Sequence, residues 1–429
     1  MSIHKFIQKI QKTNYFPKSS KWIFLLLLVI ISIIYNYQEV LFKPTQSLHQ
    51  WRQCDSLSIT WNYYQDQNSF LEPSVHYLGD DGTGKTASDF PLIYYFVALL
   101  WKIFGPYEFI YRIVVLLLFF IGLFALFKIF ENTLKDSILA IICPLLLFTS
   151  PTLVYFANNF LMDMPAFSFA LIGLYYFFKF WATSKNKHLY LFILFNLIGG
   201  LLKISSLMSF MAIMGIFVLE YFNVKLVTQR KIFQQPYKQI LPLMTVFIAQ
   251  IIWYVYASSY NSNYNSGIFL IGYLPIWDFN MLEIKETLHA IKNHIQWDYF
   301  RTITQIIFLI MISTILFFHK KMNKILLSLT IFLFIGIILF ATLFFQALKD
   351  HDYYTINLFI IIPIIILSFL HLLKQHYQHI YSSLILKILL VTLLIHNIDF
   401  ARRRLDGRYS NDGWANKEYV EHLQHFTTI

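Results

Sequence analysis

Long apolar runs separated by short polar segments recur along nearly the whole chain. A helix needs about 20 mostly apolar residues to cross about 30 Å of hydrocarbon. The runs that reach or approach this length are 22–42, 109–130, 137–157, 165–182, 188–202, 204–222, 239–257, 303–318, 325–346, 354–373 and 383–399. The pattern predicts an all-α, polytopic integral membrane protein with about 11 transmembrane helices, in a range of roughly 10–13.

Two further helices are predicted to lie at the membrane surface. Leu92–Phe104 is apolar, but as a helix it is only about 20 Å long, which is typical of a re-entrant or interfacial segment. Residues 49–64 form the second interfacial helix, because four of its side chains can share one apolar stripe in the headgroup layer. These four residues are Trp51, Leu57, Trp61 and Tyr64.

Composition leaves no room for a large soluble domain. Charged residues make up 13% of the 429 residues and hydrophobic residues 57%, whereas about 25% of the residues in a soluble domain are charged. We expect one transmembrane domain over 1–400, with a first outer loop at 43–108, which holds the interfacial helices, and a second large outer loop at 258–302. A short C-terminal tail at 401–429 follows. The basic N-terminal segment and its span are predicted to be an uncleaved anchor.

The distribution of charge predicts the orientation of the chain. Its net charge is +11, and the positive-inside rule places the N-terminus and the lysine-bearing alternate loops in the cytoplasm. The acidic loop 43–91 then faces outward, in a bacterial-type plasma membrane. Ala401–Arg408 holds four arginines and disagrees, so either a late span is miscounted or this segment lies against outward-facing headgroups. The basic residues are scattered between spans, which argues against a nucleic-acid partner.

Several polar residues fall together at the outer ends of the predicted spans. They are Asp55, Asp89, Asp163, Lys203 and the run Asp350–Tyr354. Charged residues near membrane segments are costly, and they tend to line functional cavities. Five such places on one side of the membrane predict one site, which faces the cell exterior or periplasm.

The acids of this set have two interpretations. Arg52 and Asp55 lie three residues apart, hence on one side of the helix, and could form an ion pair on a lipid-surface helix. Alternatively, Asp55 could accept a proton from an acceptor hydroxyl. Asp89 and Asp163 could serve the site or cap the helices that follow them.

The basic and aromatic members also have structural alternatives. Lys203 could extend to the membrane surface or bind an anionic headgroup as a point charge. Tyr353 and Tyr354 could belong to an aromatic belt, but a belt does not explain the run Asp350-His351-Asp352 before them. With His351, the two tyrosines offer donors suited to phosphate or sugar hydroxyls.

Other motifs carry little weight. Gly79–Thr86 matches the P-loop pattern, but Ser88–Pro91 breaks any following helix, and Asp80 and Asp81 would repel phosphate, so the segment is predicted to be a flexible turn. No metal site is expected from His371, His376 and His379, which fall on the inside and lack the spacing of helical ligands. Cys54 and Cys143 lie in different environments, and no disulfide is expected.

In this order of motifs the chain resembles the C-type, polyprenyl-phosphate-sugar-dependent glycosyltransferases, and within them the protein O-mannosyltransferase-like group of bacterial membrane enzymes. The resemblance covers about residues 20–375. It rests on His49–Asp55 after the first span, Asp89-Phe90-Pro91 before the short helix, Asp163 before Pro165, Gly199–Lys203 between paired spans, and His351–Tyr354 before a late span. The chain departs from this family at Asp89, where Glu is common, and in its short C-terminal part, where acceptor recognition varies.

The resemblance implies transfer of a sugar from polyprenyl phosphate to a hydroxyl acceptor on the non-cytoplasmic face, with inversion at the anomeric carbon. In this scheme Asp55 is the base, and Arg52 or His49 holds its orientation. Lys203, His351 and Arg52 would neutralise the phosphate leaving group. Asp89 and Asp163 would position the sugar, tune Asp55 or bind a divalent ion; no cofactor is firmly implied, and the acceptor is not identified.

Two other functions fit a charged membrane cavity. A transporter or flippase for a lipid-linked glycan should show repeat symmetry and interrupted helices near the midplane. No convincing repeat is found, and the polar groups sit at one surface. A ligase or polymerase of lipid-linked glycans would differ in its acceptor but would act on the same side.

Overall fold

A computed structural model describes residues 19–79, 81–224, 226, 231–266, 269 and 272–409. Within these residues the fold is helical, and β-structure is limited to one isolated bridge between Ser74 and Lys85. In chain order the α-helices are α1 (Ser20–Ile34), α2 (Tyr37–Val40), α3 (Gln50–Tyr64), α4 (Leu92–Phe104), α5 (Glu108–Leu134), α6 (Ser137–Leu147), α7 (Pro151–Ala157), α8 (Asp163–Thr183), α9 (Asn186–Leu202), α10 (Met208–Tyr221), α11 (Pro236–Asn263), α12 (Met281–His294), α13 (Thr302–Phe317), α14 (Lys324–Leu343), α15 (Ala347–Asp350), α16 (Ile361–His376), α17 (Gln378–Tyr381) and α18 (Leu384–Tyr409). Short 3₁₀ helices span Ile204–Leu207, Ile276–Asp278, His319–Lys321 and Asp352–Ile360, and a π-helix spans Ile295–Tyr299.

The predicted polytopic, all-α membrane fold is confirmed. In the described part of the chain, seven helices are long and apolar enough to cross a membrane, or up to nine if each of two bent pairs is one span. The bent pairs are α6 with α7, at 80°, and Met281–Tyr299 with α13, at 102°. The predicted spans 22–42 and 188–202 correspond to the shorter apolar helices α1 and α9, so the count of about 11 remains a prediction. Leu92–Phe104 is a short helix, as predicted.

The core forms around α8, which packs between α5 and α9. Two glycines make this close approach possible, because a Cβ on Gly122 would meet the Cα of Ser168 at 3.1 Å and one on Gly199 would meet the carbonyl oxygen of Ala166 at 3.2 Å. By contrast, α11 leaves most of its apolar surface uncovered by the protein, as expected of a helix that faces lipid.

The two ends of the helix bundle are held by different contacts. At one end, Lys387 pairs with Asp136 at 2.7 Å, and Lys374 donates to the carbonyl oxygen of Thr133 at 3.0 Å. At the other end, the buried Arg112 donates to the carbonyl oxygens of Lys43 and Pro44 at 3.1 Å. Two of the loops that the sequence placed inside, those after Leu134 and after Lys374, therefore meet at the end of α5 opposite to the first outer loop.

The last helix extends further than the sequence suggested. α18 continues to Tyr409, so the predicted boundary between domain and tail at residue 400 falls within a helix. Residues 410–429 of the predicted tail lie outside the described residues, as does Asp80 of the glycine-rich turn.

Candidate active site

The interfacial helix α3 begins at Gln50, close to its predicted start, and turns its polar face into the protein. Its buried residues include Arg52, Gln53 and Ser56, whereas Trp51 and Trp61 are exposed. This is the reverse of a soluble amphipathic helix, and it is the arrangement expected of a helix in the headgroup layer, which accepts aromatic rings while the charged side chains find partners inside.

Arg52 is the centre of the acidic part of the site. Its Nη2 lies 2.7 Å from Oδ2 of Asp89, and its Nη1 lies 3.9 Å from Oδ2 of Asp55. The first contact is a charged hydrogen bond, and the second is too long to be one. The guanidinium also lies 4.5 Å above the ring of Phe269. Among the described residues, neither Nη1 of Arg52 nor Oδ2 of Asp55 has a hydrogen-bond partner.

Asp55 is partly exposed and incompletely paired. Its side chain keeps 17% of its surface exposed, so a substrate can reach it. Burial raises the pKa of its carboxyl above the ordinary value, and the charge of Arg52 opposes that rise. The carboxylate is thus attracted by one cation without being fully paired.

Asp89 is fixed by its neighbours rather than by helix capping. The N-cap of α4 is Pro91, without a side-chain cap, and the Asp89 carboxylate instead accepts from Arg52 and, at 3.3 Å, from the hydroxyl of Tyr94. The backbone beside it is bonded to two membrane helices. The Phe90 N–H donates to the carbonyl oxygen of Leu201 at 3.0 Å, and the Trp253 indole donates to that of Ser88 at 3.0 Å.

Lys203 points into the protein, not to the surface. It lies in extended backbone between α9 and the 3₁₀ helix Ile204–Leu207. Its Nζ is 3.5 Å from Oδ1 of Asp163 and lies 4.9 Å and 5.6 Å above the rings of Tyr354 and Tyr353. Asp89 also interacts electrostatically with Lys203 and Asp163. The two ion pairs, Arg52 with Asp89 and Lys203 with Asp163, therefore belong to one site.

A group of aromatic rings borders these charges. The ring centroid of His351 lies 5.9 Å from that of His49, 5.4 Å from Tyr353 and 6.5 Å from Trp51. Burial lowers the pKa of His351, and the neighbouring His49 adds to the effect. His351 is thus neutral near pH 7 and can serve as a hydrogen-bond donor or acceptor rather than as a cation.

The nine residues predicted for the site form two groups of contacts, one around Arg52 and one around Lys203, and Asp89 of the first group interacts electrostatically with Lys203 and Asp163 of the second. His49, Arg52, Asp55, Asp89, Asp163, Lys203, His351, Tyr353 and Tyr354 are each in contact with at least one other member. Their individual roles stay predictions. In the described part of the chain, no three His, Cys, Asp or Glu side chains converge as metal ligands, and the carboxylates of Asp89 and Asp163 already face cations. The residues present do not fit a preformed metal site.

Sequence reasoning did not include Arg408 in the site. Its Nη2 lies 2.8 Å from Oδ2 of Asp352 and 3.2 Å from Oδ1 of Asp298, and Arg404 reaches the same oxygen of Asp298 at 3.1 Å. The arginine-rich segment that disagreed with the charge rule thus pairs with acids at the site end of the bundle. The sequence feature that could have indicated this pairing is the spacing of Arg404 and Arg408, which lie four residues apart on one face of a helix.

The glycine-rich segment forms a turn, as predicted, whereas its predicted flexibility stays a prediction. Gly79, Gly82 and Gly84 all have positive φ, and a Cβ on Gly84 would meet the carbonyl oxygen of Val75 at 2.3 Å. Asp81 accepts from the N–H of Thr83 at 3.0 Å within the turn. A P-loop requires a helix directly after the glycine-rich loop. Among the described residues, the next helix after the turn is α4, which begins only at Leu92.

Comparisons with known proteins agree with this architecture. Residues 87–256, less than half of the chain, match the family model described as dolichyl-phosphate-mannose-protein mannosyltransferase. No curated protein matches the sequence. The crystal structure of ArnT from Cupriavidus metallidurans in the apo state aligns over 90% of this chain and 75% of its own, with a TM-score of 0.55 and 11% identity.

Two more crystal structures are similar. ArnT from the same organism bound to undecaprenyl phosphate aligns over 90% of this chain and 75% of its own, with a TM-score of 0.51 and 10% identity. The apo oligosaccharyltransferase of Archaeoglobus fulgidus aligns over 96% of this chain and 58% of its own, with a TM-score of 0.49 and 13% identity. The ArnT alignments show the fold. Together with the family match, they confirm the predicted resemblance to C-type membrane glycosyltransferases.

Proposed function

We propose that this chain moves a sugar from a polyprenyl-phosphate donor to a hydroxyl acceptor on the non-cytoplasmic face of the membrane, with Asp55 as the general base. The observation that carries the proposal is the carboxylate of Asp55, whose side chain is 17% exposed and whose buried Oδ2 lies 3.9 Å from the Arg52 guanidinium without a hydrogen-bond partner among the described residues. A carboxylate in that state can take a proton from an acceptor hydroxyl as the hydroxyl attacks.

The reaction proceeds as one displacement. The acceptor O–H gives its proton to Asp55 while its oxygen bonds to the anomeric carbon, and the bond from that carbon to the phosphate oxygen breaks. The electron pair leaves with the polyprenyl phosphate. Because one oxygen enters opposite the leaving oxygen, the configuration at the anomeric carbon inverts.

Lys203 is suited to receive the leaving phosphate. Its contact with Asp163, at 3.5 Å, is longer than a charged hydrogen bond, so the ammonium retains donors for an anion. Tyr353 and Tyr354, whose rings lie beneath the ammonium, and His351 add neutral donors. Preorganised donors at the position where charge develops are a major source of catalysis in such transfers.

Polyprenyl phosphate as the lipid part of the donor is supported by the similarity to known proteins. The similar fold of ArnT occurs in a structure bound to undecaprenyl phosphate, and the family match names a dolichyl-phosphate sugar. The outward face is supported by the acidic residues of the first outer loop, which lie at the end opposite to the lysine-rich loops. Asp89 and Asp163 keep Arg52 and Lys203 in place around the sugar.

A transfer assay tests this proposal. The purified protein in lipid nanodiscs is incubated with a panel of radiolabelled polyprenyl-phosphate sugars and with lipid, glycan and peptide acceptors. We expect release of free polyprenyl phosphate and a labelled product that depends on Asp55. Transfer by wild type and by Asp66→Asn, but not by Asp55→Asn, supports the proposal. Equal transfer by Asp55→Asn contradicts the role of Asp55, and no transfer with any donor contradicts the function.

The same assay separates the alternatives. A flippase would change the leaflet of the lipid-linked glycan without cleaving its phosphate bond, whereas a ligase or polymerase would release polyprenyl pyrophosphate or phosphate from an oligosaccharide donor. The position of the charged residues at one end of the bundle favours the transferase, because transport sites lie near the midplane.

A further inference from the structure

A second set of ionic contacts lies beside the proposed site and ties the end of α18 to the helix that carries Asp55. We call it the Arg408 network and define it as His49, Asp298, Asp352, Arg404 and Arg408. Asp352 stands at its centre, because Oδ1 of Asp352 lies 3.0 Å from Nε2 of His49 while Oδ2 lies 2.8 Å from Arg408. The side chains of Asp352 and Arg408 are only 4% and 5% exposed.

The network ends at a loop with an uncommon backbone. Ser47 and His49, immediately before α3, both have positive φ, at 63° and 57°. Residues with a Cβ rarely adopt this conformation, and it persists where the surroundings hold it. His49 is also the N-cap of α3 and forms no capping hydrogen bond with its side chain, so its conformation is not explained by capping.

Both left-handed residues are held by the network. The imidazole of His49 is bonded to Asp352, and the hydroxyl of Ser47 donates to the backbone carbonyl oxygen of Arg408. Arg408 thus reaches the loop twice, once through Asp352 and once through its own backbone. Its guanidinium also lies 5.4 Å above the ring of Tyr155, whose hydroxyl donates to the carbonyl oxygen of Leu48 at 3.0 Å.

We propose that Arg408 is a positioning residue for the site: through Asp352 it holds His49 in the left-handed conformation that starts α3, and so sets where Arg52 and Asp55 lie. One turn of helix separates the His49 N-cap from Arg52, and Gln53 N–H donates to the His49 carbonyl oxygen at 3.1 Å. A displacement of the N-cap therefore also moves Arg52 and Asp55, which lie in the first two turns of the same helix. The catalytic consequence rests on the proposed function, whereas the positioning itself does not.

The charges of the network are balanced inside the protein. Asp298 and Asp352 carry two negative charges opposite the two positive charges of Arg404 and Arg408, and Nδ1 of His294 lies 3.1 Å from Oδ2 of Asp298. Removing the charge of Arg408 alone leaves a buried carboxylate without its cation, which is costly. The effect of Arg408→Gln should therefore be local and large, whereas Arg403 is 76% exposed and pairs with Asp399 at 2.6 Å.

The test compares Arg408→Gln with Arg403→Gln, a matched change on the same helix, and with the conservative Arg408→Lys. Hydrogen–deuterium exchange in nanodiscs follows the peptide over residues 45–56, and the transfer assay gives kcat and KM. We expect faster exchange and a kcat/KM lowered by up to about 100-fold in Arg408→Gln, because a misplaced catalytic group has effects of this order. Arg408→Lys should recover part of both, and Arg403→Gln should resemble wild type.

A second variant distinguishes positioning from general loss of stability. Glycine adopts positive φ without help, so in a His49→Gly background Arg408→Gln should change the exchange of residues 50–56 far less than it does in wild type. An equally large change in both backgrounds overturns the proposal, as does unchanged exchange or unchanged kcat/KM in an otherwise active Arg408→Gln enzyme. If exchange responds as expected but wild type transfers no sugar, positioning stands and the proposed function fails.

Discussion

Oδ2 of Asp89 lies 2.7 Å from Nη2 of Arg52, so the strongest ionic contact of this guanidinium is made with an acid 37 positions away rather than with Asp55 on its own helix. The consequence is a division of roles between two carboxylates. Asp89 fixes the guanidinium, and Asp55, whose Oδ2 lies 3.9 Å from it, forms no hydrogen bond with it.

The first prediction concerns the base. Asp55→Asn keeps the shape of the side chain but cannot accept the proton, so we expect transfer to fall by about 10²–10⁴-fold while the protein still inserts and folds. Asp66→Asn is the matched control, because Asp66 lies in the same outer loop, is 79% exposed and pairs with Lys102. Rates per folded molecule in nanodiscs give the answer, and near-normal transfer by Asp55→Asn would contradict the assignment.

The second prediction concerns pH. Burial raises the pKa of Asp55, and the base is active only when ionised, so kcat/KM should fall as pH decreases through a value above that of an exposed aspartate. Arg52 opposes the rise, and its charge favours the ionised form. Arg52→Gln should therefore move this acid limb to higher pH. A limb that stays in place when the charge of Arg52 is removed would show that another group titrates.

The third prediction concerns the leaving group. Lys203→Ala removes the ammonium above Tyr353 and Tyr354, and a hydrogen bond to a charged group contributes about 1.5–3 kcal/mol. We expect the apparent KM for the lipid-linked sugar to rise by roughly 10- to 100-fold. Lys102→Ala, which removes an ammonium from the surface of the outer loop, is the control. An unchanged KM in Lys203→Ala would mean that this lysine serves only its contact with Asp163.

The fourth prediction concerns stability. Asp89→Asn leaves the buried charge of Arg52 without its main partner, and breaking a buried ion pair on one side costs about 3–5 kcal/mol. Asp66→Asn breaks an exposed pair, which contributes about 0–1 kcal/mol. Thermal unfolding in the same detergent should therefore show a clear loss of Tm for Asp89→Asn and little change for Asp66→Asn. Equal values would place Arg52 in a more solvated setting than the structure describes.

Much of the fold follows from local pattern. The apolar runs predict the membrane helices because hydrocarbon demands about 20 apolar residues in succession, and Pro91 marks the start of the short α4. The sequence predicted one span over residues 137–157, and the structure divides this segment into α6 and α7 with a bend of 80° between them. Pro151 at the first position of α7 was its local signal, because proline favours the start of a new helix.

The contacts within the site were harder to predict from the sequence. The stripe of α3 is the same whether the helix lies on lipid or packs its polar face inward, so the burial of Arg52 could not be derived from spacing. Arg408, Asp298 and Asp352 lie far apart in the chain, and their pairing depends on how α18 packs. Asp55, Lys203 and His351 were predicted as candidates because charged groups at the ends of spans are costly without a function.

The hydrogen bond from Phe90 N–H to the Leu201 carbonyl oxygen has a mechanical consequence. It joins the backbone next to Asp89 to the last turn of α9, two residues before Lys203, so the ion pair of Arg52 with Asp89 and that of Lys203 with Asp163 share a backbone connection. We expect a displacement of Lys203 to be transmitted through this hydrogen bond to Asp89, which holds Arg52.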